Sequence, residues 1–325
     1  MTAYVENIAY IGEKPWHGIG FELPKDATPD LIMKAAELDW TVSKKELVLK
    51  DNPKTELKRH FAIVRDSDKS VLSVVGPRYV PVQNKEVFEF FKRFCDAGKM
   101  SMETAGSLKS GRYVWALAKL NDTFRVNGSK DQVSSYLLLS SPYEPNISLV
   151  AQFTPIRVVC WNTLNFALGS NLKGKGEHVI RLPHVREFDA NIQIVAQETL
   201  EAAHQQMVEF KKAADFLATV PAAEENVHQY FVDVFKLEDA VEKAKEKGKE
   251  PRLLTFLKAA NDHGPGANMK TAKGTWWGAL NAATYIVDHN RGHSADGFLY
   301  NAWYGSGAIA KRQAVRKALE WAKAA

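Results

Sequence analysis

The chain has 325 residues, 45% hydrophobic and 25% charged, with 20 Gly and 13 Pro, a globular composition that excludes a collagen-like, low-complexity or mostly disordered protein. Its 43 Lys and Arg against 38 Asp and Glu leave a net charge of +5, which permits nucleic acid as a partner without demanding it. Two cysteines, Cys95 and Cys160, are too few for a disulfide framework, and no run of about 18 apolar residues is present to span a membrane.

The first 27 residues read as an irregular lead-in holding Lys14-Pro15-Trp16-His17-Gly18-Ile19-Gly20, with no basic-then-apolar leader; the expected setting is a reducing cytoplasm. Leu31, Ile32, Ala35 and Ala36 share one side of a short helix over residues 30–38. Residues 40–49 and 60–64 cluster β-formers, Asp66-Ser67-Asp68 supplies a turn, and residues 71–75 form another strand closed by Gly76-Pro77. From Asn84, Val87, Phe88, Phe91 and Phe94 recur at helical spacing.

Two hairpins follow. Residues 101–105 and 113–120 flank a basic turn, Gly106 to Arg112, and residues 133–139 and 147–153 flank Pro142-Tyr143-Glu144-Pro145-Asn146. In the last of these strands Ile147, Leu149, Ala151 and Phe153 point one way; Ser148, Val150, Gln152 and Thr154 point the other and leave a mostly polar face open. Thr154-Pro155 then reads as a helix start, a side-chain cap followed by proline at the first helical position. Ile156, Val159, Cys160, Leu164 and Ala167 supply that helix with an apolar stripe, Arg157, Trp161 and Asn165 lie on another face, and Gly169 closes it.

A long amphipathic helix is expected from Arg186 to about Val220, and further helices over residues 225–235, 237–247, 253–260, 276–289 and 308–324. Residues 261–272, rich in Gly and Pro, read as a flexible loop. The predicted class is α+β: an antiparallel sheet of hairpins followed by a helix, a β-β-β-α-like core, with a mostly helical C-terminal part. The domains are residues 1–185 for the core and 186–325 for the helical region.

The positive charge is unevenly placed. Residues 100–186 hold ten Lys and Arg against five Asp and Glu, and the remainder of the chain balances, which is the asymmetry of an anion-binding face. Lys109 and Arg112 crown the first hairpin, and Tyr113, Trp115 and Lys119 share a face of its second strand. Basic side chains interleaved with aromatic rings suit single-stranded nucleic acid, because every nucleotide brings a charge and a π-face. Core packing is the competing explanation, stronger for Trp115 than for Trp161. The predicted nucleic-acid contacts are Lys109, Arg112, Tyr113, Arg157, Trp161, Lys173, Lys175 and Arg181. Arg157 near a helix N-terminus would hold a phosphate by charge and dipole together.

Other motifs are weaker. Residues 169–176 approximate a phosphate-binding loop but end in Gly176 where Ser or Thr would hold magnesium, and they follow a helix instead of opening one, so they read as a basic loop. Asp288, His289 and His293 resemble metal ligands, but no Glu follows His289 as the metalloprotease pattern requires. No Ser-nucleophile elbow, paired Cys-x-x-Cys or dinucleotide-binding glycine pattern occurs, so neither a catalytic constellation nor a cofactor site is expected.

Pro15-Trp16-His17-Gly18, Val75-Gly76-Pro77-Arg78-Tyr79, the run Arg157-Val158-Val159-Cys160-Trp161-Asn162-Thr163-Leu164, and Asn281-Ala282-Ala283-Thr284-Tyr285 with Asp288-His289 resemble a family carried by phages and plasmids. That family is labelled only phage/plasmid-like, a domain of unknown function, and implies no activity. The order of elements over residues 100–170 is similar to the β-β-β-α core of single-strand annealing proteins, which assemble into rings or filaments holding single strands in an outer groove. The resulting expectation is a non-catalytic, single-stranded DNA-binding homo-oligomer that promotes annealing or recombination in the host cytoplasm, without a membrane. The alternatives are an interaction protein that modulates a host defence or replication factor, and a metal-dependent hydrolase or nuclease using Asp288, His289 and His293.

Overall fold

The computed structural model describes residues 8–12, 20–98, 100–145, 149–157, 159, 162–163, 179–182, 192–290 and 300–325. The fold is α+β, with sheets of mostly antiparallel strands and a helical C-terminal part. The lead-in contributes two short strands, β1 (Ala9–Ile11) and β2 (Phe21–Leu23), paired in parallel with each other. Helix α1 (Pro29–Ala35) starts where the sequence places a cap: Thr28 Oγ1 accepts from the Leu31 N–H at 3.3 Å, Pro29 occupies the first turn, and Ile32 and Met33 are buried.

A three-stranded antiparallel sheet follows, β3 (Val42–Leu49), β4 (Asn52–Arg65) and β5 (Val71–Val75), in the order β3-β4-β5. Helix α2 (Asn84–Gly98) buries Val87, Phe88 and Phe91. Its first residue is a buried knot: Asn84 Nδ2 donates to the carbonyl of Leu38 at 2.9 Å, and Oδ1 accepts from the Tyr143 hydroxyl at 2.7 Å. Burial pushes the Tyr143 hydroxyl well above its ordinary pKa and keeps it a donor.

The larger sheet adds β6 (Ser101–Leu108), β7 (Tyr113–Arg125), β8 (Gln132–Pro142), β9 (Leu149–Arg157), β10 (Asn162–Thr163) and β11 (Val179–Leu182). Its order is β10-β9-β8-β7-β6-β1-β2, with β11 pairing β9. Both predicted hairpins are present. Residues Val133 to Pro142 of β8 are buried without interruption, which is why this strand reads as an unbroken apolar-and-Ser run.

The helix expected over residues 155–168 is corrected at every described position. Thr154, Pro155, Ile156 and Arg157 continue β9, and Asn162 and Thr163 form β10, with Asn162 opposite Arg157 and Thr163 opposite Ile156. Residues 149–152 register with β11, so Pro155 falls between the two paired stretches, where a missing N–H interrupts neither. Thr154 is fully buried, so the polar face expected along this strand is not open there.

Helices α3 (Ile192–Leu217), α4 (Glu224–Phe235), α5 (Glu238–Lys245), α6 (Arg252–His263), α7 (Trp276–Asn290) and α8 (Ser306–Ala324) match the predicted series. Of the flexible loop expected over residues 261–272, Asn261 to His263 belong to α6 and the rest is a succession of hydrogen-bonded turns with Thr271 and Ala272 buried. None of the described helices is long and apolar enough to cross a membrane.

The chain forms two compact units. One comprises Met1–Asn121, Tyr136–Phe153 and Glu177–Ala203; the other comprises Asp122–Ser135, Thr154–Gly176 and His204–Ala325. In the second unit α7 is apolar nearly all round and is buried accordingly. Trp276 stacks on Trp321 and meets Tyr230 edge-on, while Trp277 packs against Phe210. The Trp277 indole N–H and the Thr271 hydroxyl both donate to Asp131 Oδ2, at 2.9 and 2.8 Å, which satisfies a carboxylate with no exposed surface.

Candidate nucleic-acid interface

The β6–β7 turn has the geometry its sequence requires. Lys109, Ser110 and Gly111 take positive φ values of 55°, 57° and 85°, and the Arg112 N–H closes the turn on the Lys109 carbonyl at 3.3 Å. Lys109 and Arg112 are exposed at this tip, as expected. Tyr113 is not available for stacking: it is 2% exposed, and its hydroxyl donates to Glu144 Oε2 at 2.7 Å. Trp115 is equally buried. Lys119 lies 3.3 Å from Glu103 Oε1 and over the Tyr136 ring, so its charge is locally balanced. The aromatic part of the face predicted along β7 is therefore buried, while Lys119 remains partly exposed.

Arg157 ends strand β9, so the helix N-terminus that was to assist it in holding a phosphate is absent from its position. Arg181 lies in β11 with Val150 as its register partner. Trp161, Lys173, Lys175, Cys160 and His293 lie outside the described residues, as does the Lys14 to Gly18 segment. Among the described residues no group of three or more His, Cys, Asp or Glu side chains is arranged to hold a metal. Asp288 is fully buried with Oδ1 accepting from Lys311 Nζ at 2.8 Å, and His289 packs on Tyr285 at 4.5 Å. These contacts place Asp288 and His289 in the packing of α7, while His293, the third residue of that set, lies outside the described residues. Cys95 is buried and its thiol is pushed up to about 12, chiefly by burial, which makes it inert as a nucleophile.

The outer half of the β3–β4 hairpin is an exposed feature bearing cations that the sequence pattern does not single out. Glu46 lies opposite Phe61, Val48 opposite Glu56 and Leu49 opposite Asn52, with register shifts between these pairs. Every residue from Lys45 to His60 whose side chain is described is exposed, except the half-buried Leu47. At about 3.3 Å per residue, the five residues from Glu46 to the turn project roughly 17 Å. Residues 44–60 contain six Lys and Arg against three Asp and Glu. Lys44 is tied down, donating to the carbonyls of Pro77 and Tyr79 at 2.6 and 2.9 Å, and Lys45 acts on Asp66. Lys50, Lys58 and Arg59, further out, make no ion pair or side-chain hydrogen bond with the described residues.

The base of this arm is held by a carboxylate turn. Asp66 accepts from the hydroxyls of Ser43 and Thr41, both at 2.7 Å, and these bonds hold its carboxyl below the usual range. Asp68 is held lower still by the Arg65 guanidinium and by the Ser70 N–H and hydroxyl. Arg65 also lies over the Trp40 ring, fixing the strand end against the chain that enters β3.

The family model described as Domain of unknown function (DUF932) matches residues 71–320. The chain belongs to this family. The DUF932 match begins at the first residue of β5, so the β3–β4 arm precedes it, while the β6–β7 tip, helices α2 to α7 and most of α8 fall inside it. No curated protein and no solved structure matches the chain.

Proposed function

We propose that this DUF932 protein is a non-catalytic, single-stranded DNA-binding protein that promotes strand annealing or recombination, of phage or plasmid origin and working as a homo-oligomer. The observation that carries the reading is the β3–β4 arm: a two-stranded projection, solvated on both faces, whose outer cations have no acidic partner among the described residues. Lys50, Lys58 and Arg59 form no ion pair with the described residues, although Glu46, Asp51 and Glu56 share the arm, so a polyanion would supply the charge partners they lack. The exposed Lys109 and Arg112 at the β6–β7 tip add a second cationic point in the same unit. The charge asymmetry of residues 100–186 supports the same partner.

In this mechanism the arm and tip capture the phosphate backbone by charge, and capture by backbone alone leaves the Watson–Crick edges free for a complementary strand. The test is annealing of two complementary oligonucleotides, one bearing a fluorophore and the other a quencher, at low salt. The protein is expected to accelerate quenching in proportion to its binding of either single strand. Absence of binding to both strands at low salt would remove the proposal.

A further inference from the structure

Three aliphatic side chains stand on the arm without a core beneath them: Val48 is 46% exposed, Leu49 45% and Leu57 38%. Scattered apolar residues on a surface need no explanation, but these fall at one level of the arm, Val48 on the face of Glu56 and their chain neighbours Leu49 and Leu57 at the alternate positions. Val48 lies opposite Glu56, next to Leu57, and Leu49 follows Val48 directly. Lys50, Lys58 and Arg59 are their chain neighbours, so one projection carries aliphatic groups set among uncompensated cations.

We infer that the arm is an unstacking wedge: Val48, Leu49 and Leu57 insert between neighbouring bases of a DNA single strand while Lys50, Lys58 and Arg59 hold its flanking phosphates. This inference rests on the single-strand reading above and specifies how that strand is held. Charge alone would bring any polyanion to the arm, and the aliphatic groups select one whose apolar faces lie a few ångströms from its charges. A nucleic-acid strand has that arrangement, because its bases stack beside its phosphates. Aliphatic side chains are known to separate base steps when cations anchor the backbone on either side. The wedge disrupts the residual stacking of a single strand and presents separated bases, the form that a complementary strand must meet. Glu56, opposite Val48, tends to keep phosphate away from the aliphatic cluster and so favours entry by the base side.

The experiment uses a single-stranded oligonucleotide containing 2-aminopurine, whose emission rises when its neighbours unstack, together with an end label that reports binding. The full-length protein is compared with Val48→Ser/Leu49→Ser/Leu57→Ser, substitutions at exposed positions on the arm. Wild type is expected to raise the emission, and the triple variant to lose most of that rise while its affinity falls by less than about tenfold, the scale of one base contact. Binding without an emission rise, or an equal rise in the variant, overturns the wedge and leaves the DNA-binding proposal standing. No binding by either protein defeats the DNA-binding proposal itself. Vesicles of phosphatidylglycerol form the third arm. Sedimentation with them that is lost in the triple variant would assign the aliphatic cluster to a lipid surface and overturn the wedge.

Discussion

Lys311 and Asp288 bring an ammonium and a carboxylate together where neither has any exposed surface. Burial holds the Lys311 ammonium below the ordinary lysine value, although the Asp288 charge and hydrogen bond pull it the other way. Such a pair contributes little net stability relative to apolar side chains, yet breaking one half of it is costly, because the remaining charge stays desolvated. Lys311→Met is therefore expected to destabilise the protein by about 3–5 kcal/mol in urea unfolding, and Lys311→Met/Asp288→Asn by less. Equal losses in the two variants would mean that the charge of Asp288 is balanced by other groups. The sequence marks Asp288 by its neighbour His289, whereas its partner in the fold, Lys311, lies on a helix 23 residues away that no local spacing points to. Tyr113 and Trp115 show the same gap, since ring and charge alternation along a strand looks the same whether its aromatic face is covered or open.

The turn between β4 and β5 ties pH to the integrity of the three-stranded sheet. Asp66 and Asp68 have folded pKa values below their unfolded ones, so their contribution is fully present above the unfolded value and is lost as pH falls through the folded value. Stability is thus expected to decline on acidification from about pH 4 downward, and Asp66→Asn to flatten part of that decline. Chemical denaturation at several acidic pH values measures both. A profile unchanged by Asp66→Asn would show that its hydroxyl partners do not discriminate between the charged and neutral forms.

The helices were legible because their apolar residues recur at helical spacing, although α4, α5, α6 and α8 carry no side-chain cap. The segment after β9 was not, because Thr154-Pro155 satisfies the rules for a helix start and also fits a strand position between two pairings. The period-2 and period-3.6 patterns are hard to separate in a short apolar run such as Ile156 to Cys160. Strand β4 was read as five residues and is fourteen, since its outer half is charged on both faces, as only a solvated ribbon can be.

Over the whole molecule, the +5 net charge is too small to point to a polyanion, and averaging by segment hides the exposed cations of the β3–β4 arm. The six cations of residues 44–60 cancel in any count that reaches the acidic stretches elsewhere in the chain, whereas in the fold Lys50, Lys58 and Arg59 stand exposed on the outer arm. Electrostatic capture depends on that spatial arrangement, and its signature is thermodynamic: each phosphate neutralised on a single strand releases counterions and steepens the dependence of log affinity on log salt by about 0.7. The decisive measurement is therefore fluorescence anisotropy of a labelled single-stranded oligonucleotide across a salt series, for wild type and for Lys50→Ala/Lys58→Ala/Arg59→Ala. Wild type should bind at low salt with a linear negative slope, and the variant should bind more weakly with a slope shallower by about 2. Superimposable lines for the two proteins, or no binding by wild type at the lowest salt, would contradict it.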